Sequence, residues 1–209
     1  LSGANLEIPK SLTLNKTLLK FVYQFNNINY NYQYLNGFKS QLYLQYVTTE
    51  NDFQNEFLIA WNDFSFYKRI KAKGNWASRI RFGLASNDDS PFAPFALDNN
   101  INIRGVGFLV DRGTGVIVAN TEYRHTIFDN KKFAVQTNAF FDAGTWRDPG
   151  GQLKDFFDAE RLRLYSGIGL RFINKKVYNA TFRIDYGFKI RDGISNKTGG
   201  IVFGLGQYF

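Results

Sequence analysis

The chain has 209 residues, with 26 Lys and Arg against 18 Asp and Glu, giving a formal charge of +8. Aromatic residues reach 18%, which excludes a disordered chain, and β-formers outweigh Leu and Ala, which argues against a helical bundle. With no cysteine and a single histidine, His125, neither a disulfide framework nor a thiolate or multi-histidine metal site can form.

Residues 1–16 carry Pro9 and no periodic pattern, so they read as a leader outside a single domain over 17–209. Nothing after Leu1 resembles the basic and apolar regions of a signal peptide, so any such segment has been removed or the chain is an excised piece. The first predicted strands are 18–25 and 28–34, the second alternating Ile28, Tyr30, Tyr32 and Tyr34 with small amides. The apolar phase switches between Phe25 and Ile28, so Asn26-Asn27 is expected to turn one hairpin. Asn36-Gly37, a type I′ signal, is expected to turn the next. Strand 38–47 continues with Phe38, Leu42, Leu44 and Tyr46, then comes 53–67. Strand 75–86 opposes Trp76, Ile80, Phe82 and Leu84 to Arg79 and Arg81.

The second half alternates more cleanly. Strand 115–128 sets Ile117, Ala119 and Tyr123 against Asn120, Glu122 and Arg124, and 132–146 sets Phe133, Ala139 and Phe141 against Gln136, Asn138 and Asp142. Strand 162–173 opposes Leu164, Ile168 and Leu170 to Arg163, Gly167, Gly169 and Arg171. Strand 178–191 opposes Phe182, Ile184 and Tyr186 to Arg183 and Asp185. The last, 199–209, puts Ile201, Phe203, Leu205 and Phe209 on one face. Ten strands result, or eight if 18–34 lies outside the wall, and an even number returns the chain to the side where it began.

Short basic connections at 68–74, 129–132 and 174–176 alternate with long ones at 86–115, 147–161 and 191–199. Short turns at one end and long loops at the other are the pattern of a transmembrane antiparallel up-and-down β-barrel. A soluble barrel would hide an apolar face inside. Here the polar face holds Arg, Asp, Glu, Asn and Gln able to pair in a narrow lumen, while the other face is apolar as lipid requires. Tyr and Trp near segment ends, such as Tyr34, Tyr67, Trp76, Trp146 and Tyr165, suit interfacial girdles. No window approaches 18 apolar residues, so no helix spans, and the dispersed positive charge speaks against nucleic acid as a partner.

One constellation carries a family resemblance. The loop contains Ile103-Arg104-Gly105-Val106-Gly107, and a later strand contains Phe140-Phe141-Asp142-Ala143-Gly144, with Glu122 between them. Their order resembles the C-terminal barrel region of the Omp85 superfamily, over about residues 75–209. Phe140, Asp142 and Gly144 match its Phe-x-Asp-x-Gly motif, and Ile103, Arg104 and Gly105 match its loop motif, where Val106 replaces an aromatic. Phe203, Leu205 and Phe209 resemble the C-terminal signal of outer-membrane barrels, from which Gln207 departs.

The resemblance implies a bacterial outer-membrane location and a long extracellular loop folded into the lumen, with Arg104 docked on Asp142 and Glu122. Those carboxylates fall on the wet face of adjacent strands, where a confined guanidinium needs partners. The alternative is a solvated Arg104, with the carboxylates paired to Arg124, Arg171 or Arg183. The implied role is protein translocation or outer-membrane assembly, with the lipid bilayer and an unfolded polypeptide or periplasmic partner as partners and no cofactor. The periplasmic repeats and sixteen-strand barrel usual in the family have no counterpart in the pattern. A structural membrane anchor for a separate soluble domain is therefore the second reading. A third, a lipid-acting enzyme, would need His125 with Ser166, which lie two strands apart without a nucleophile elbow. Two acidic loop groups, Asn87-Asp88-Asp89 and Asp155, Asp158 and Glu160, lack the spacing of a calcium loop.

Overall fold

A computed structural model describes residues 16–49, 56–86, 93–99, 101–107, 110–177, 180–191, 199–207 and 209. Among the described residues nine strands form one antiparallel sheet: β1 (Lys16–Asn31), β2 (Tyr34–Thr49), β3 (Phe57–Ile70), β4 (Gly74–Ala85), β7 (Gly115–Asp129), β8 (Phe133–Arg147), β9 (Arg163–Asn174), β10 (Thr181–Arg191) and β11 (Gly199–Leu205). They pair in chain order, as an up-and-down meander does. Between β4 and β7, β5 (Phe95–Leu97) and β6 (Asp111–Gly113) form a separate two-stranded ribbon. Among the described residues the only helix is a 3-10 turn at Leu153–Phe157. β1 and β11 are the sheet's edges, with no pairing between them among the described residues.

The period of two decides which residues are buried, and it does so with inverted chemistry. Along β8, Gln136, Asn138, Phe140 and Asp142 are buried, while Phe133, Ala139 and Phe141 are exposed. On β4, β7, β8, β9 and β10 the polar face is the enclosed one, and Ile80, Phe82, Ile168 and Phe203 point outward, whereas β1 is exposed on both faces. Contacts between distant strands show how tightly the sheet curls. Tyr34 on β2 donates from its hydroxyl to Thr126 Oγ1 on β7 at 3.0 Å, and Arg171 on β9 reaches Glu122 on β7 at 2.8 Å.

The expected first hairpin is corrected. Segments 18–25 and 28–34 are not separate strands: Asn26-Asn27 lie inside the continuous β1, and the chain turns at Tyr32-Gln33, with Tyr32 at φ +52°. Asn36-Gly37 is not a turn but part of β2, where Gly37 (φ +126°) faces Ile28. A Cβ there would sit 2.0 Å from Asn27 O, so only glycine permits this approach. The observed turn lets β1 and β2 pair from Lys16↔Thr49 to Asn31↔Tyr34, a longer ladder than the Asn-Gly turn allows.

It also frees the hairpin tip to fold across the short-turn end. Gln33 donates to Asp129 at 2.8 Å, and Lys175 pairs with Asp129 and lies over the Tyr32 ring. The phase switch at Phe25/Ile28 thus marks where the strand's inner face becomes apolar: Ile28 packs with Leu35, Tyr67 and Ala77. Among the described residues the sheet has nine strands where ten are expected, and β11 ends at the end of the sheet opposite to where β1 starts. Of the expected leader, residues 1–15 lie outside the described residues, and Lys16 already belongs to β1.

Asn75 pins this tip. Fully buried, it accepts from Leu35 N at 2.9 Å and donates to Leu35 O at 2.8 Å and Lys68 O at 2.9 Å. Asn75→Ala is expected to cost about 1–3 kcal/mol by leaving buried backbone groups without partners. Urea unfolding in lipid vesicles measures the loss, and chymotryptic cleavage at the loosened Tyr32 accompanies it.

Two aromatic assignments change as well. Tyr34, Tyr67, Trp146 and Tyr165 are buried on the inner face rather than set in girdles, whereas Tyr30, Tyr46, Trp76 and Tyr186 are exposed. Ile201, Phe203 and Leu205 do share the outer face, but Phe209 does not. Gly206, at φ +84°, turns the chain inward, and the Phe209 ring packs with Leu35, Tyr67 and Ala77, 5.5 Å from the Arg79 guanidinium. The last residues leave the ladder, so the pattern of alternation no longer fixes their side.

Candidate functional site: a strap across the enclosed polar face

The connection between β4 and β7 crosses the inner face of the sheet as a strap, seated on glycines. Phe95 lies over Gly83 of β4, where an added Cβ would come within 2.5 Å of the ring. Ile103 and Leu97 lie over Gly144 of β8, at 2.6 and 3.1 Å from such a Cβ. Leu97, Ile103 and Val106 are fully buried with Val116, Val118 and Trp146 in the main apolar cluster. Gly105, at φ +95°, runs so close to Gly187 of β10 that a Cβ on it would meet that residue's Cα at 2.7 Å. A Cβ on Gly187 would lie 2.3 Å from Arg104 O, and one on Gly200 of β11 would lie 3.2 Å from Gly105 O. Backbone is packed on backbone here, which no larger residue allows.

Arg104 is fully buried at the centre of this seat. Its Nε and Nη2 donate to Asp142 Oδ2 and Oδ1 at 2.8 and 2.9 Å, and its backbone N–H donates to Oδ2 at 3.0 Å. Nη1 donates to Glu122 Oε2 at 2.5 Å, and the guanidinium lies 3.7 Å from the Phe140 ring centroid. The three residues at alternate positions of β8 therefore each hold the strap: Phe140 by its face, Asp142 by a fork, and Gly144 by giving room to Ile103. Burial by itself would lower the Arg104 pKa, but Asp142 and then Glu122 outweigh it and the pKa is raised. The charge is fixed, and its partners are preorganised to take it.

A wider network holds those partners. Glu122 also accepts from Arg171 Nη2 at 2.8 and 2.9 Å and from Arg124 Nε at 2.5 Å. Asp142 accepts from Asn120 Nδ2 at 2.9 Å, and Asn120 Nδ2 also reaches Asn102 O in the strap at 2.8 Å. Arg79 donates to Asn120 Oδ1 at 3.0 and 2.7 Å and to Ile101 O. Arg81 forks onto Asp63 at 2.6 and 2.7 Å and reaches Asn102 Oδ1 at 3.1 Å. Asp185, bound by Arg183 at 2.9 Å and Asn138 at 3.0 Å, stands 4.0 Å from Arg104 Nη1. Around Glu122 the Arg104 contact thus stands beside the pairings with Arg124 and Arg171 that the alternative expected, while Arg104 is buried rather than solvated.

The family model described as an Omp85 superfamily domain matches residues 10–209. The chain belongs to the Omp85 superfamily. No curated protein matches it. Omp85 proteins are outer-membrane proteins of bacteria and organelles, with a general role in protein insertion and translocation.

Within this Omp85 domain, several members of the strap's seat were not singled out from sequence. The sequence pattern places Asn120 only on the polar face and Arg171 only as an alternative partner of the carboxylates, and it gives Gly187 and Gly200 no role. A signal was present: glycine repeats at inward positions of β9, β10 and β11, where a solvated polar face would carry side chains. His125 is exposed, and its ring nitrogen lies 3.3 Å from the Tyr123 hydroxyl. In the ladder His125 faces Thr137 and Ser166 faces Phe141, so the two do not converge. Asp155 and Asp158 pair with Arg161, and among the described residues no acidic or histidine group could hold a metal. Asn87, Asp88 and Asp89 lie outside the described residues.

Proposed function

We propose that this chain is part of an outer-membrane barrel wall of a protein-translocating or assembly-promoting Omp85 protein, whose strap seals the lumen. The observation that carries this reading is Arg104, buried and forked onto Asp142 with Glu122 and Phe140 completing its seat. A residue used this way costs stability unless its partners are in place, so the seat is a built device rather than a chance contact of a loop. The long-loop end is extracellular and the short basic turns face the periplasm, where the unfolded polypeptide and any periplasmic partner arrive. The outward apolar face, with Ile80, Phe82 and Ile168, meets lipid.

The protein's conductance in planar bilayers tests the seal. The native chain is expected to pass rare, small events, and Arg104→Ala to raise the mean conductance several-fold. Equal conductance overturns the seal. Reconstituted vesicles given an unfolded outer-membrane β-barrel polypeptide test the role. More protease-protected folded product than with empty vesicles is expected, and an equal yield overturns assembly activity.

A further inference from the structure

The connection between β8 and β9 does something the strap does not: it folds over the rim to the outside of the wall. At the long-loop end, Gly115, Thr145 and Arg147 occupy outward-facing positions of β7 and β8, yet all three are buried. What covers Gly115 and Arg147 is the 3-10 turn Leu153–Phe157 and Gly151 before it. The Phe156 ring lies against Gly115 and Leu84, where a Cβ on Gly115 would stand 2.6 Å from it, and its centroid is 6.4 Å from that of outward-facing Phe82. Gly151 comes close enough that a Cβ would lie 3.1 Å from Arg147 Cγ.

The turn is rigidly attached. Gln152 and Asp155 form a reciprocal capping box, Trp146 Nε1 donates to Asp148 at 2.8 Å, and Arg161 pairs with Asp148, Asp155 and Asp158. Its far side is apolar and uncovered. Leu153 is 58% exposed, and Phe157, at 87%, is the most exposed large apolar side chain among the described residues. Between them Lys154 is exposed, while Asp148, Asp155 and Asp158 are paired to Arg161 and the exposed Glu160 lies beyond the turn.

We infer that this turn is an interfacial anchor, lying on the outer wall with Leu153 and Phe157 in the bilayer's headgroup-to-acyl boundary and Lys154 among the phosphates. The inference rests on the proposed reading that the outward face meets lipid. Three observations single out lipid as the occupant: the turn continues the apolar surface of Phe82 and Leu84, it sits at the rim, and Lys154, the exposed charge between its apolar side chains, is positive. Short amphipathic segments with an aromatic and a basic residue seat themselves in this zone.

The absence of cysteine makes the test clean. Nitroxide labels are placed singly at Leu153→Cys, Lys154→Cys and Phe157→Cys, with Ile80→Cys on the outer wall and Lys68→Cys at the short-turn end as references. The protein is inserted in vesicles of phosphatidylcholine with phosphatidylglycerol, and collisions with oxygen and with a water-soluble nickel chelate are compared. Labels at 153 and 157 are expected to favour oxygen, as at 80 but at shallower depth, and the label at 154 to favour nickel. If 157 and 153 are as nickel-accessible as 68 while 80 is in lipid, the anchor is overturned and the barrel reading stands. If the label at 80 is itself in water, the barrel reading falls and the anchor with it.

Discussion

Arg104→Ala is expected to destabilise the folded protein by about 3–5 kcal/mol, the scale for removing one partner of a buried ion pair. The loss falls unequally on the two carboxylates. Among the described residues Glu122 keeps Arg124 and Arg171, whereas Asp142 keeps Asn120 and the backbone N–H of residue 104. Asp142 therefore becomes the buried charge without a counter-ion, and neutralising it should return part of the loss. The double variant Arg104→Ala/Asp142→Asn is expected to be more stable than Arg104→Ala alone, a coupling that a double-mutant cycle isolates. Urea unfolding in phospholipid vesicles, followed by tryptophan fluorescence, reads both. A change below about 1 kcal/mol for Arg104→Ala would place the pair among solvated surface ion pairs and remove the basis for the seal.

Gly187→Val tests the same seat from the opposite wall. Its Cβ has no space, because the Arg104 carbonyl would lie 2.3 Å away and the Gly105 Cα 2.8 Å away. Both obstacles are backbone, so no rotamer change relieves them, and the strap must lift. Overpacking costs about 1–3 kcal/mol where the core can shift. Here the lift also breaks the Arg104 fork, so a total on the order of 4 kcal/mol is expected. The diagnostic is non-additivity: in Arg104→Ala/Gly187→Val the second substitution should add little, since one strap is lost in both. Gly107→Ala is the contrast. It has a positive φ of +74° but nothing within 4 Å, so only backbone strain of about 1–2 kcal/mol is expected. If Gly187→Val proved no worse than Gly107→Ala, the close approach of strap and β10 would be refuted.

The sequence by itself determined the sheet and which way its faces turn. Period-two alternation is a local property, so β7, β8, β9 and β10 were legible within a residue or a few, as was the polar inner face holding Glu122 and Asp142. Ile103-Arg104-Gly105 and Phe140-x-Asp142-x-Gly144 were legible as motifs because each occupies adjacent or alternate positions of one segment. Chain-level signals failed where a longer contact overruled a local one. Asn36-Gly37 is a strong turn signal, yet the full-length ladder of β1 with β2, and the contacts of Gln33, Tyr34 and Leu35 with β4 and β7, favour the turn at Tyr32-Gln33.

Phe209 was assigned by parity to the outer face, but parity holds only while the ladder continues, and Gly206 ends it. The glycines were the deepest omission. A glycine on a polar face says that something must approach, but not what, and only the curled sheet brings Gly105 onto Gly187 and Gly200, and Ile103 onto Gly144. Likewise the outward-facing Gly115 reads as a strand residue facing lipid until the β8–β9 connection is seen folded onto it. Alternation tells each strand which side is wet. Which distant segment fills that side is decided by close packing between parts of the chain that no local spacing links.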